Sequence, residues 1–249
     1  MSQLKLIITG SFLLAALVLC ELACSSNGFA EPTPYPPDQF GTYSVGLREF
    51  DFYDSQRQRS VFTKVWYPAK KPPRSADPFF YLELLEGQAY QDLELDKSGA
   101  PYPLVLFSHG NQGLGMQSFS LTEHLASHGF VVVAPNHEGN TIFDNPSDEE
   151  VAQISLDRPL DIVYAMEQII SMNAQSENDF HAVIDLEAIG ISGHSFGGYT
   201  TILLAGADVD VSAAQDRCDA GIPGDIFCPY LVYWDSEENV KRPEGAAVF

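Results

Sequence analysis

Residues 190–200, GISGHSFGGYT, restrict what this chain can fold into more than any other stretch. Gly193, Ser195 and Gly197 have G-x-S-x-G spacing, with the apolar run EAIGIS before the serine and FGGYTTILLAG after it. The first run reads as a buried strand and the second as a helix. A strand entering a helix through this spacing must turn sharply. Small residues on either side let strand and helix pack closely, and the serine is held at a strained backbone position with its hydroxyl exposed at the strand's carboxyl end. Ser195 is therefore the candidate nucleophile. A serine hydroxyl reacts poorly until a base takes its proton. Where this turn usually occurs, the base is a histidine later in the chain. The six histidines are His109, His124, His128, His137, His181 and His194, and none follows Ser195.

The remaining patterns supply a frame for that turn. YSVGLREFDFYD and SVFTKVWYPA read as strands joined by the polar turn DSQRQR. PLVLFSHG and FVVVAP read as buried strands of a parallel sheet. Between them, SLTEHLASHG reads as a helix, with Ser120 and Glu123 at capping-box spacing and Gly129 as its stop. Residues 79–100 suggest a short helix and then a loop. A second helix is expected from Asp157 to Met172, with Pro159 in its first turn and Ile162, Val163, Met166, Ile169 and Ile170 on one face. Alternating strands and helices argue for an α/β fold with a parallel sheet. Acyl transfer also needs donors for an oxyanion. The backbone N–H of Phe196 is one, and the N–H of Asn111 in the loop SHGNQG is the other. His109 either orients that loop or is a satisfied core histidine.

The 249 residues suffice for one substantial core, and the net charge of −21 with no basic stripe argues against nucleic-acid binding. Lys5 and the apolar run from Leu6 to Cys20 form an export leader, too short to span a membrane. Two exits fit: cleavage before Cys24 with a lipid anchor on that cysteine (signal 1–23), or cleavage after Ala30 (signal 1–30). Residues 24–44 are a Pro-rich spacer and 45–249 the folded domain. The protein is expected to be exported: periplasmic, outer-membrane-anchored through Cys24, or secreted. Cys218 and Cys228 are expected to pair in an oxidising compartment, in the loop-like stretch CDAGIPGDIFC. No metal site is expected, since two cysteines lack further ligands and the i, i+4 pair His124 and His128 has no third. His137 and Glu138 follow a strand end and are expected at the pocket rim. DNPSDEE reads as a solvated helix start.

LFSHGNQG, LASHGFVVVAP, RPLDIVYAMEQI and GHSFGGYT, with VWYPA upstream, resemble the bacterial esterases related to platelet-activating factor acetylhydrolase, often labelled dienelactone-hydrolase-like. The resemblance runs over residues 45–206. It implies an α/β-hydrolase fold, mostly parallel with helices on both faces. It also implies a serine carboxylic-ester hydrolase acting through an acyl-enzyme on lipid or other small esters, with no cofactor. Polyester or cutinase-like hydrolases are the near alternative. Dienelactone hydrolases proper use a cysteine, which Ser195 argues against. The chain departs from the family after the serine, where an acid and then a histidine should follow. Asp235 is a weak candidate for the acid and no histidine is present. His194 diverges from Ser195 at a sharp turn. The expectation is a C-terminally truncated hydrolase lacking its last strands, poorly soluble and nearly inactive as it stands. The opposing expectation is a catalytically dead envelope lipoprotein.

Overall fold

The computed structural model describes residues 39–207 and 210–221, together with Cys228 and Leu231. The leader, Cys24, most of the Pro-rich spacer and Asp235 lie outside the described residues. Strands β1 (Ser44–Asp54) and β2 (Arg59–Ala69) form a hairpin in unbroken register, from Ser44 opposite Ala69 to Asp54 opposite Arg59. Short strands β3 (Phe80–Tyr81), β4 (Leu85–Glu86) and β5 (Ala89–Gln91) follow. Then come β6 (Tyr102–Ser108), α1 (Phe119–Ser127), β7 (Val131–Pro135), α2 (Asp148–Ala174), β8 (Ile184–Gly193), α3 (Phe196–Leu204) and α4 (Val211–Asp219).

The main sheet has the order β5-β1-β2-β7-β6-β8. Strands β7, β6 and β8 run parallel, and β2 runs antiparallel to both β1 and β7. This is the α/β-hydrolase arrangement. Period-2 alternation sorts its side chains between two cores. Leu104, Leu106, Val131 and Val133 pack with Ile162, Ala165 and Ile169 of α2 on one face. Phe107, Val132 and Ala134 pack with Ala126 of α1 on the other. The connection leaving β6 runs to β7 on one side, while β8 lies on its other side. The order therefore reverses at β6. In open sheets of this kind the crevice at the strands' carboxyl ends at such a point is where ligands bind. Among the described residues β8 is an edge strand, with Leu186 and Ile202 of α3 exposed nearby in sequence.

Several local expectations are corrected. Residues 79–100 hold β3–β5 and no helix. The β3–β4 turn puts Leu82 and Glu83 at φ of 51° and 58°, positions where Asn-Gly is the usual signal. Glu123 is no capping residue. The N-cap of α1 is Ser118, without a side-chain bond. Glu123 is buried and accepts from the Tyr81 hydroxyl (2.8 Å) and from the N–H groups of Gln88 (2.9 Å) and Ala89 (3.0 Å). One carboxylate thus pins the irregular segment to α1. Helix α2 starts nine residues earlier than expected, at a capping box in which Ser147 and Glu150 bond reciprocally. Pro159 consequently lies inside the helix, at a cost of about 3 kcal/mol. Residues buried on both sides of it, Ala152, Ile154 and Leu156 before and Ile162, Ala165 and Ile169 after, hold the helix through the break. Cys218 belongs to α4 rather than to a loop, and is joined to Cys228 with a Cα–Cα distance of 5.3 Å.

Candidate active site

Ser195 stands between β8 and α3 at φ 53° and ψ −113°. A non-glycine residue there is strained by about 1–3 kcal/mol, which its surroundings must impose. Three backbone bonds impose it. His194 N–H donates to Ser108 O (3.1 Å), Gly197 N–H to His194 O (2.7 Å) and Gly198 N–H to Ser195 O (2.8 Å). The flanking glycines permit the approach. A Cβ on Gly193 would lie 2.2 Å from Gly197 O, and one on Gly197 only 1.9 Å from Ser108 O. Ser195 itself is exposed, and among the described residues its hydroxyl makes no hydrogen bond.

The register sets two backbone donors beside it. Ser108 pairs with Gly193 across β6 and β8. Asn111 lies three residues beyond Ser108, and Phe196 three beyond Gly193, so both leave the same end of the sheet. Neither N–H has an acceptor among the described residues. Gln117, missed in the sequence, ties the two loops together. Its Oε1 accepts from Gly110 N–H (2.7 Å), and its Nε2 lies 3.4 Å from Nδ1 of His194.

Beneath this surface lies a buried polar cluster. Arg158 Nη2 donates to Ser108 Oγ (3.1 Å), and Ser108 Oγ lies 2.9 Å from His137 Nε2. His137 Nδ1 lies 3.0 Å from Asp161 Oδ2. A carboxylate requires the Nδ1–H tautomer, so Nε2 accepts the Ser108 proton. Asp161 also accepts from Arg57 Nη1 (2.8 Å) and from Arg59 Nε (3.1 Å) and Nη2 (3.1 Å). Burial alone would lower these two guanidinium groups, but the surrounding carboxylates together outweigh it and raise both: Asp161 and Asp54 for Arg57, and Asp161, Asp157 and Glu138 for Arg59. Ser108, His137 and Asp161 are connected like a catalytic triad, yet each is 0% exposed. No ester reaches Ser108, whose hydroxyl already has both a donor and an acceptor. The cluster is framework.

This corrects the expected place of His137, which is in the core and not at the rim. Glu138 is exposed and accepts from Ser60 N–H at 2.7 Å. It lines a cavity of about 290 Å³ with Arg59 and Asp157, which none of Ser195, Asn111 and Phe196 lines. His109 is buried and links two loops. Its Nδ1–H donates to Gly110 O (2.7 Å) and its Nε2 accepts from His137 N–H (3.0 Å). His128 precedes Gly129, which lies against Tyr102 at the amino end of β6, the far end of the sheet. His124 packs against it with ring centroids 4.5 Å apart. His181 precedes the amino end of β8, its Nδ1 3.2 Å from Asn173 O. All six histidines are thus located, and none hydrogen-bonds Ser195.

The buried imidazoles make folding sensitive to acid. Burial, then the repulsion that a protonated His109 would meet from the neighbouring His137 ring, were it also protonated, and from the Arg158 guanidinium, push His109 down to about 2. Burial, then Arg158, Arg59 and Arg57, hold His137 well below the ordinary histidine value. Both stay neutral in the folded chain but protonate near pH 6.5 when it unfolds. Unfolding therefore takes up protons below that pH. Stability is full above pH 6.5 and falls as the pH drops, by up to about 1.4 kcal/mol per pH unit for each histidine. Urea midpoints should decline between pH 7.5 and 5.5, and equal midpoints would contradict this assignment.

The chlorophyllase family model matches residues 95–214, somewhat under half of the chain and including Asn111, Ser195 and Phe196. Among solved structures, the chain is similar to a ferulic acid esterase from Streptomyces cinnamoneus, with 19% sequence identity and a TM-score of 0.49. That match covers 65% of this chain and 55% of that one, so the chain spans little more than half of that protein. No curated protein sequence matches the chain.

Proposed function

We propose that the chain carries the nucleophile and oxyanion site of a serine carboxylic-ester hydrolase, acting through an acyl-enzyme on small or lipid esters. The observation that carries this reading is the strained, exposed Ser195 beside two N–H groups that have no acceptor among the described residues. In this reading Ser195 Oγ adds to the ester carbonyl, and the resulting oxyanion accepts from Asn111 and Phe196. The C–O bond to the alcohol breaks, the alcohol leaves with the proton given up by Ser195 Oγ, and water then adds to the acyl-serine, releasing the acid and returning a proton to Oγ. Exposed Ile142 and Phe143 favour an apolar acyl group. Their segment is tied to the Asn111 loop by the bridge between Gly113 and Thr141. The platelet-activating factor acetylhydrolase-like specificity rests on the motif resemblance, and export with a Cys24 anchor on the leader sequence.

One observation favours a second reading, a non-catalytic protein that binds an acyl ligand in the same crevice: no histidine of the chain bonds Ser195. Chemical rescue separates the two. Added imidazole should raise p-nitrophenyl acetate hydrolysis by the chain above that of Ser195→Ala, in proportion to imidazole concentration. Equal rates for both proteins at every concentration would leave the binding reading.

A further inference from the structure

Arg158 occupies a position on α2 that the helical repeat assigns to the core, in line with Ile162, Ala165 and Ile169, and it is 0% exposed. A buried cation costs several kcal/mol unless its donors and charge are satisfied. Burial lowers this guanidinium to about 9, with Asp161 acting in the opposite sense, so it stays charged at neutral pH. Among the described residues its hydrogen bonds do not go to a carboxylate. Nη2 donates to His109 O and Ser108 Oγ, Nη1 to Asn140 Oδ1 (2.6 Å) and Nε to Thr200 Oγ1 (3.3 Å). Asn140 Nδ2 then donates to Asn111 Oδ1 (2.8 Å), and Thr200 Oγ1 to Phe196 O (3.2 Å). The guanidinium carbon also lies 4.6 Å from the centroid of the Phe196 ring.

The geometry points to Arg158 as a positioning residue that holds the Asn111 and Phe196 amides at the crevice together. This rests on the reading of Ser195 and those amides given above. One rigid fork touches both loops, reaching Asn111 through Asn140 and Phe196 through its ring and Thr200. Lysine would keep the charge but not the fork. A cation satisfied by carbonyls and side-chain oxygens, without a direct anion partner, also favours negative charge developing at the neighbouring amides.

The test uses ethylboronic acid, which forms a tetrahedral adduct on a serine and places an oxygen where the oxyanion would stand. The adduct is read by ¹¹B NMR, and the amides by ¹⁵N–¹H spectra of the full chain. Arg158→Lys should weaken the adduct by about tenfold or more and reduce the boronate-induced shifts of both amides. Asn140→Ala, which cuts only one arm, should reduce the Asn111 shift and spare that of Phe196. Purely structural roles would lower urea midpoints and leave these shifts intact. Wild-type affinity and shifts in the folded variants would overturn the proposal, and if Arg158→Lys does not fold, Asn140→Ala decides alone. Persistence of the tetrahedral signal in Ser195→Ala would instead show that the reading of Ser195 is wrong, and this inference would fall with it.

Discussion

Without added base, the 249-residue chain is expected to hydrolyse p-nitrophenyl acetate about 10⁶-fold more slowly than a serine hydrolase with an engaged histidine. Oxyanion donors and binding alone leave about 10³–10⁴ over water. The reason is positional. His109 and His137 have both ring nitrogens engaged in the core, while His128 and His181 lie toward the far end of the sheet. His194 adjoins Ser195 in sequence but sits beside Gln117. Ser195→Ala should accordingly change the unassisted rate by less than about tenfold, because nucleophile and base act as a unit. Steady-state rates of the two purified proteins check this. Fast turnover that disappears in Ser195→Ala would mean that one of these five imidazoles, or that of His124 beside His128, reaches the serine in solution.

Gly197→Ala is expected to abolish soluble expression, whereas Gly198→Ala should be tolerated or stabilising by up to about 1 kcal/mol. The two glycines are adjacent on the first turn of α3 but meet different surroundings. A Cβ at position 197 would lie 1.9 Å from Ser108 O, 2.6 Å from Ser108 C and 2.8 Å from His109 O. All three are backbone atoms at the end of β6, which has neighbours on both sides, so no side chain can move aside. At position 198 the nearest atom is Gly193 O at 3.9 Å, an ordinary contact, and alanine lowers the entropy of the unfolded chain. Soluble yields and urea midpoints of the two variants decide the matter. A Gly197→Ala protein with the wild-type midpoint would show that helix and strand pack less closely than this geometry requires.

The sequence by itself determined the features that depend on near neighbours. The unbroken apolar run FVVVAP specified a strand buried on both faces, and in the fold Val131 and Val133 enter one core while Val132 and Ala134 enter the other. The spacing of Gly193, Ser195 and Gly197 specified the turn, because the steric demand acts within a few residues of the serine. One signal was present and went unread: Arg158 and Asp161 are charged residues on the apolar stripe of α2, which marks buried polar partners without naming them. Only the tertiary structure decided who those partners are. Asp161 bonds Arg57 across 104 positions, and Arg158 bonds Ser108 across 50. Glu123 left its expected capping role for donors 34 and 35 residues away. His137 follows a strand end like a rim residue, yet α2 covers it. A buried polar group takes whichever partner the fold brings within about 3 Å, and that choice depends on how distant elements stack, which no local pattern of residues records.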